Sequence, residues 1–281
     1  MRLLLAAGVA SLLSVSAAGA SATAHSPLVS LRGQLPTRGP KLTAPAAIVI
    51  DAGSGMVLYA KRPYMRRPIA STTKIMTALV AMSRLGPNER VRVPREATRV
   101  EEYREGLRAG ELVPAWKLYY GLLLVSGNDT AVTLAVAAGG SRASFLRLMN
   151  QRARALGLRH THFTSPSGVV DAGNYSTVWD LAALTRYAMW NARFRAIVKT
   201  KAKRVSWRPP TYAKLYENHN KLLWRYRGAD GVKTGWTTAA GGCLVASARR
   251  HGIHLISVVL HSQDLYGDTA RLLDYGFSRR G

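Results

Sequence analysis

The stretch GGCLVASARRHGIHLISVVLHS, residues 241–262, predicts two long β-strands that turn back on each other at residues 250–252. A second strand pair is predicted near the start of the chain, in AAIVIDAGSGMVLYAKR (46–62), where the glycine-containing segment 51–55 forms the turn. Because the region between the two hairpins has a mainly helical pattern, we expect both chain ends to share one antiparallel sheet.

Four helices are predicted between the hairpins, and one helix follows the second hairpin. Apolar residues at helical spacing place them at 71–86, at 118–140 with an interruption at 126–128, at 141–157, at 176–191 and at 268–277. Ser71 is placed to cap the first helix, and Thr177 and Asp180 have the spacing of a capping box. This order predicts an α+β fold, an antiparallel sheet flanked by helices with a helical subdomain.

The N-terminal segment has the pattern of a secretory signal peptide. Arg2 precedes an uncharged apolar run over 3–20, and Ala22-Thr23-Ala24 offers a small-residue cleavage site, which predicts a signal at 1–24. An uncleaved membrane anchor is the alternative. Residues 25–45 carry four prolines and predict an extended arm, so that 46–281 forms the single domain of an extracytoplasmic protein.

The charge of the chain is strongly positive, with 40 lysine and arginine residues against 15 acidic ones. Secretion argues against nucleic acid as a partner and favours anionic wall polymers or acidic lipid head groups. A solubility feature of an arginine-rich proteome explains the charge equally well.

Cysteine and histidine give no sign of a metal or redox site. Cys243 is the only cysteine and sits in an apolar strand, as expected for a small buried hydrophobic residue. The seven histidines are scattered and form no H-E-x-x-H pair. We therefore expect neither a metal nor a cofactor.

Ser71 and Lys74 lie three residues apart at the start of a predicted helix, which puts both side chains on one face. A serine hydroxyl needs a neighbouring base to act as a nucleophile. A lysine can be that base if burial and nearby cations lower its pKa. The spacing alone is weak evidence, because it arises by chance about once in a chain of this length.

Two further short stretches carry polar residues in unusual places. Ser126 and Asn128 interrupt an apolar helical run, so they either satisfy a helix break or hold something bound. Lys233, Thr234 and Gly235 precede the strand that contains Cys243; the glycine permits a close approach to the strand edge, and the lysine and threonine suit a carboxylate. An ordinary strand with a solvated lysine is the alternative for this stretch.

Together the three stretches form the series S-x-x-K, S-x-N, K-T-G, which resembles the penicillin-recognising serine enzymes. The stretches IASTTKIMTALVA, YYGLLLVSGNDTA, DGVKTGWTTAAGGCLVASA and LLDYGF are similar to the low-molecular-mass D-alanyl-D-alanine carboxypeptidases. The resemblance covers roughly residues 46–278. It implies a β-lactamase/DD-peptidase-like fold, with 46–281 as the catalytic domain.

The resemblance also implies the reaction and its catalytic groups. Ser71 would attack the peptide carbonyl and form an acyl-enzyme, Lys74 would be its general base, and Ser126 would pass a proton to the leaving D-alanine. The substrate would be the D-Ala-D-Ala end of a peptidoglycan stem peptide. β-Lactams such as penicillin would act as covalent inhibitors.

Five residues would bind this substrate. Asn128 would hold its amide, Lys233 and Thr234 would bind the terminal carboxylate, and Gly235 belongs to the same K-T-G stretch. The backbone N–H of Trp236 would form the oxyanion hole with that of Ser71.

Two rivals and several departures qualify this reading. A serine β-lactamase usually carries a glutamate between the second and third motifs, whereas Asp129, Asp171 and Asp180 are the only carboxylates between Glu111 and Glu217.

Leu265 occupies the place of an arginine that binds the substrate carboxylate in many relatives, and Pro166-Ser167-Gly168 replaces their P-H-G segment. A weakly catalytic, basic wall-binding protein of the same fold is the second rival. Since the chain ends at Gly281, we expect no C-terminal anchor.

Overall fold

Both ends of the chain contribute strands to one five-stranded antiparallel sheet. The computed structural model describes residues 30–33, 38–169, 173–207 and 213–280. In chain order its strands are β1 (Ala46–Asp51), β2 (Val57–Lys61), β3 (Arg90–Arg92), β4 (Leu112–Pro114), β5 (Ala202–Val205), β6 (Lys214–Glu217), β7 (Ala229–Thr237), β8 (Gly241–Arg250) and β9 (Ile253–Ser262). The large sheet has the order β2-β1-β9-β8-β7, while β3 pairs with β4 and β5 with β6. The predicted α+β fold is confirmed.

The helices are concentrated in the middle of the chain. They are α1 (Lys74–Met82), α2 (Ala115–Leu123), α3 (Asn128–Gly139), α4 (Arg142–Ala155), α5 (Val178–Ala188), α6 (Ala192–Val198), α7 (Leu222–Arg225) and α8 (Leu265–Ser278). Two 3₁₀ turns, Ala70–Thr73 and Arg95–Arg99, precede and follow α1. Helices α1 to α4 pack on one another and form the helical subdomain.

Helices cover both faces of the sheet because successive apolar side chains of its strands point to opposite faces. Along β1, Ile48 and Ile50 belong to the cluster that includes α1 and α5, whereas Ala47 and Val49 pack in the cluster that contains Leu272 of α8. All of these side chains are fully buried. Helix α8 therefore packs on one face of the sheet, and α5 packs on the other.

Two predicted helix starts differ in detail from the structure. Ser71 does not cap a helix; it lies inside the first 3₁₀ turn, and the start of α1 has no side-chain cap. Thr177 does cap α5 by accepting a hydrogen bond from the N–H of Asp180. The Asp180 carboxylate, however, accepts from the N–H of His160 and the hydroxyl of Thr161. Tertiary partners have replaced the second half of the capping box.

The predicted N-terminal arm packs against the sheet domain wherever it is described. Arg32 forms a bridge with Met56, and the backbone N–H groups of Thr43 and Ala44 donate to the carboxylate of Asp268. Asp268 is fully buried and also accepts from Ser262 and Arg271. Although burial raises its pKa, these hydrogen bonds hold the pKa of Asp268 well below its usual range. Asp268 therefore joins the arm to α8.

We expect Asp268→Asn to lower the free energy of unfolding by about 2–3 kcal/mol, because buried hydrogen bonds to a charged acceptor are lost. Urea denaturation at pH 7 measures this loss. Asp274→Asn is the control, since the Asp274 side chain is 58% exposed; it should cost less than about 1 kcal/mol. Because the pKa of Asp268 is lowered in the folded protein, its charge stabilises the fold fully above the ordinary pKa of 3.8. The difference in unfolding free energy between wild type and Asp268→Asn should therefore shrink as the pH falls below 3.8. Equal losses in the two variants would contradict the role of Asp268.

The predicted signal at 1–24 lies outside the described residues. Within the part that the structure describes, no helix is both long and apolar enough to span a bilayer. Those residues also contain no group of three or more histidine, cysteine or acidic side chains suited to a metal ion. Cys243 is buried, and burial raises the pKa of its thiol to about 11, as expected for an unreactive packing residue.

Candidate active site

Ser71 and Lys74 meet where the first 3₁₀ turn passes into α1. The Lys74 Nζ lies 2.8 Å from the Ser71 Oγ, so the three-residue spacing does place both side chains together. Ser71 keeps 7% of its surface exposed, whereas Lys74 is completely buried. The hydroxyl is thus reachable from solvent, and the amine behind it is not.

The buried amine of Lys74 is surrounded by hydrogen-bond acceptors. Its Nζ also donates to the Asn128 Oδ1 at 2.8 Å and to the Ser167 carbonyl at 2.9 Å. Burial, assisted by the positive charge of Lys233, lowers the pKa of Lys74 well below its ordinary value, and Asp129 only partly opposes this. A neutral amine at this position can take a proton from the Ser71 hydroxyl.

The Ser126–Asn128 segment forms the break between α2 and α3. Ser126 adopts a left-handed backbone conformation with φ of 64°, and the N–H of Gly127 donates to the carbonyl of Gly121. The backbone N–H of Gly127 is therefore satisfied by the end of α2. The side chain of Ser126 lines the cavity beside Ser71.

Asn128 has partners that the sequence does not indicate. Its Nδ2 lies 3.3 Å from the carbonyl of Glu101 and 3.2 Å from that of Glu102, and its backbone N–H donates to the carbonyl of Tyr103. Together with the bond to Lys74, these contacts make Asn128 a bridge between the buried amine and the 101–103 loop. Its role toward a substrate amide stays a prediction.

Strand β7 brings the third motif to Ser71. A Cβ on Gly235 would lie 2.9 Å from the backbone nitrogen of Ser71 and 3.0 Å from the Cβ of Ala70, so only glycine permits this approach. Lys233 is 1% exposed, and its Nζ donates to the carbonyl of Thr234 at 3.0 Å. Burial lowers the pKa of Lys233 to about 7. The lysine is therefore not the solvated residue of an ordinary strand.

The three motifs surround one cavity of about 140 Å³. Four lining residues, apart from the motifs, complete it: Tyr103, His219, Leu265 and Tyr266. Leu265, expected from the resemblance to replace an arginine, thus gives the cavity an apolar wall. Trp236 lies in the lining of the cavity and is 62% exposed. Tyr103, His219 and Tyr266 were missed by sequence reasoning, because no periodicity or spacing links them to the motifs.

His219 is the only histidine in the lining of this cavity. Loss of contact with water, together with the charges of Lys233, Lys221 and Lys74, lowers the pKa of His219 to about 4. Its imidazole is therefore neutral at pH 7. A neutral ring can donate one hydrogen bond to an anion, but it adds no charge to the cavity, whose wall at Leu265 is apolar.

The Pro166–Gly168 segment acts through its backbone. The carbonyl of Ser167 accepts from Lys74, and that of Pro166 accepts from the Thr77 hydroxyl at 2.6 Å. The Ser167 hydroxyl pairs with that of Ser165. Because the contact with Lys74 uses a main-chain atom, a change of side chain at 167 does not remove it.

Two of the carboxylates between the second and third motifs, those of Asp129 and Asp180, are hydrogen-bonded away from Ser71. Asp129 accepts hydrogen bonds from the N–H groups of residues 105–107, and Asp180 binds the 160–161 segment. Asp171 lies outside the described residues. No carboxylate lines the described part of the cavity beside Ser71. The described lining therefore contains no carboxylate of the kind that activates water in a β-lactamase.

Comparison with known proteins gives a consistent result. The family model described as D-alanyl-D-alanine carboxypeptidase matches residues 34–264. A D-alanyl-D-alanine carboxypeptidase of Streptomyces sp. K15 is 37% identical over 258 residues, which are 85% of this chain and 89% of the relative. One from Bacillus subtilis is 32% identical over 84% of this chain, but the match spans only 62% of that relative.

Solved structures agree in fold and sequence. The crystal structure of the Streptomyces K15 DD-transpeptidase superposes with a TM-score of 0.81 at 36% identity, covering 86% of this chain and all of that one. A penicillin-binding protein homologue from Mycobacterium tuberculosis gives the same TM-score at 34% identity, covering 87% of this chain and 96% of that one. A family model that matches most of the sequence, with relatives above 30% identity, shows that the chain belongs to the D-alanyl-D-alanine carboxypeptidase family.

Proposed function

We propose that this protein is a serine peptidase that removes the terminal D-alanine of peptidoglycan stem peptides through an acyl-enzyme on Ser71. The single observation that carries the proposal is the fully buried amine of Lys74, 2.8 Å from the Ser71 hydroxyl, whose pKa burial lowers. A hydroxyl and a neutral amine in contact form the nucleophile and base of acyl transfer.

Acylation uses the groups that surround Ser71. Lys74 accepts the hydroxyl proton while the Oγ attacks the carbonyl of the penultimate D-alanine. The backbone N–H groups of Ser71 and Trp236 stabilise the resulting oxyanion. The peptide C–N bond then breaks, and the leaving D-alanine nitrogen receives a proton through Ser126. Asn128 holds the substrate amide next to the base.

Deacylation repeats these steps with a water molecule as the nucleophile. Lys74 takes the proton of the water, the oxygen attacks the ester carbonyl, and the Ser71 Oγ leaves and is reprotonated. An amine in place of water gives transpeptidation, which balances in the same way. A β-lactam acylates Ser71 but stays attached, because the described lining of the cavity provides no carboxylate base for its ester.

The terminal carboxylate of the substrate is assigned to Lys233 and Thr234. Since burial lowers the Lys233 pKa to about 7, the amine loses its proton as the pH rises through neutrality. We expect KM for a peptide ending in D-Ala-D-Ala to rise about fivefold between pH 7 and pH 8, from a single ionisation at this pKa. Steady-state kinetics from pH 6 to pH 9 measure the rise.

Lys233→Arg serves as the control for this pH dependence, because an arginine keeps its charge throughout the range. Its KM should stay flat over the same interval. A KM that is flat in the wild type, or that rises equally in the variant, would contradict the assignment of the carboxylate to Lys233.

A timed assay tests the proposed function directly. Purified protein should release D-alanine from a soluble pentapeptide, and release should stop after incubation with labelled penicillin, with one label per chain located at Ser71. Complete hydrolysis of the drug without an adduct would indicate a β-lactamase. Neither release nor adduct would indicate a protein that binds the wall without catalysis.

The domain boundaries and compartment are also proposals. We assign residues 1–24 to a secretory signal and 46–281 to the catalytic domain, which places the enzyme outside the cytoplasm with its peptidoglycan substrate. The sequence pattern of 1–24 supports this assignment. Mass spectrometry of the secreted protein, with an N-terminus after Ala24, tests it.

A further inference from the structure

A second concave site lies at the end of the sheet away from Ser71. It has a volume of about 570 Å³ and is bounded by the β1–β2 turn, the β8–β9 turn, the α5–α6 junction and the end of α8. Arg249, in its lining, follows Cys243 by six residues along β8, and Cys243 pairs with Gly235. At about 3.4 Å per residue, this site is roughly 20 Å along the strand from the third motif.

Four arginines line this site, which we call the arginine groove: Arg186, Arg195, Arg249 and Arg280. Only one carboxylate, that of Asp51, is in the lining. Its Oδ2 lies 3.0 Å from the Nε of Arg280, and its Oδ1 accepts from the N–H and hydroxyl of Ser54. The charge of Asp51 is therefore already neutralised, and the four arginines outnumber the two carboxylates, of Asp51 and Asp230, that form ion pairs with them.

Three of the guanidinium groups are each held in place through one nitrogen atom. The Nη1 of Arg195 donates to the carbonyls of Met189 and Trp190, and the Nε of Arg249 lies 3.0 Å from the Asp230 carboxylate. Arg280 is held by Asp51 in the same manner. Within the described part of the chain, the other nitrogen atoms of these three arginines have no partner. Guanidiniums that are fixed in this way lose little entropy when they bind an anion.

The chemistry of the groove suits phosphate groups. Arginine forks match phosphate oxygens in a bidentate manner, and several of them in one concavity suit a chain with repeated charges. The indole of Trp190, 59% exposed in the same lining, offers an apolar face to the carbon units between the phosphates. A concave site fits a polymer chain better than the flat surface of a bilayer.

We infer that the arginine groove binds a phosphodiester polymer of the cell envelope, at a site separate from Ser71. The groove would hold the enzyme next to its peptidoglycan substrate while the cavity at Ser71 stays open. The inference rests on the proposed function for its biological setting only, since binding to the groove is measurable without catalysis.

The test compares two triple variants that remove the same charge. Arg195→Gln, Arg249→Gln and Arg280→Gln change the groove, whereas Arg92→Gln, Arg95→Gln and Arg99→Gln change exposed arginines in and after β3. Binding of poly(glycerol phosphate) is measured by calorimetry in 150 mM salt. We expect at least tenfold weaker binding for the groove variant and less than threefold for the other. Equal weakening, or no binding by the wild type, would overturn the inference.

Two additional arms identify the source of the phosphate. The protein should bind vesicles of phosphatidylglycerol less tightly than the polymer, and the two triple variants should have similar affinities for the vesicles. If the groove substitutions weakened binding to vesicles but not to the polymer, the choice of partner would be wrong. Inorganic phosphate should compete only at millimolar concentration. Competition at micromolar concentration would show a site for a single small anion instead.

A single substitution at an exposed residue tests the groove even if the triple variant misfolds. Trp190→Ala leaves all the arginines in place and should weaken polymer binding about threefold or more; unchanged binding would contradict a role for the indole. D-alanine release from a soluble pentapeptide should be the same in the wild type and in all groove variants. A protein that releases D-alanine but ignores the polymer would disprove the groove and leave the proposed function intact.

Discussion

Lys74→Met is expected to slow acylation of Ser71 by at least about 10⁴-fold, because the variant keeps the shape of the buried side chain but has no base. The amine is the only group in the described structure within hydrogen-bond distance of the Ser71 hydroxyl. Methionine fills a similar volume, so the hydrogen bonds to Asn128 and Ser167 are lost without a cavity. Stopped-flow measurement of labelled penicillin binding gives the acylation rate.

A variant that carries both Ser71→Ala and Lys74→Met distinguishes loss of catalysis from loss of the folded structure. Ser71→Ala and Lys74→Met should each lose as much activity as the two together, because nucleophile and base act as one unit. Lys199→Met is the matched control, since Lys199 is exposed on the surface after α6, and its rate should equal that of the wild type. Residual acylation of Lys74→Met within a hundredfold of wild type would show that another group takes the proton.

Gly168→Ala is expected to lower kcat/KM for the pentapeptide by about 100-fold or more. Gly168 has a φ of 80°, and an added Cβ would overlap the carbonyl oxygen of Ala70 and lie 2.6 Å from the Oγ1 of Thr73. Both atoms belong to the 3₁₀ turn that carries Ser71, and the preceding Ser167 carbonyl binds Lys74. A displacement of a reacting group by about 1 Å lowers the rate by about 100-fold.

The effect on stability should be smaller than the effect on activity. A left-handed alanine costs about 1–2 kcal/mol, which urea denaturation would detect without loss of the fold. Gly86→Ala is the control, because a Cβ there meets no atom within 4 Å and the backbone is not left-handed. Its activity and stability should remain near those of the wild type. A fully active Gly168→Ala protein would show that the 3₁₀ turn tolerates displacement.

The strands and helices were largely predictable because local patterns agree with the fold. The apolar segments on either side of the turn at 51–55 and the apolar run 241–262 became β1, β2, β8 and β9, and most of their side chains are buried. The break at 126–128 also separates two helices, as the sequence indicates. Local propensity and tertiary packing point the same way in these elements.

The details that differ from the predictions involve partners distant in the chain. Ser71 was expected to cap a helix, but it lies in a 3₁₀ turn that packs against Gly235 of β7. The Asp180 carboxylate was expected to complete a capping box, but the 160–161 segment is nearer to it. His219 and Tyr266 reach the cavity only because the 213–220 segment and α8 close over it. None of these contacts leaves a periodic trace in the sequence.

Side-chain patterns over short distances are enough to predict the main strands and helices, the family and the residues of the three motifs. The properties of those residues depend on how the chain packs around them. Burial lowers the pKa of Lys74 and brings the Lys233 pKa to about 7, while the close approach of Gly235 to Ser71 requires a residue without a Cβ. A pKa and an interatomic approach depend on every group packed around an atom, and segments far apart in the chain supply most of those groups.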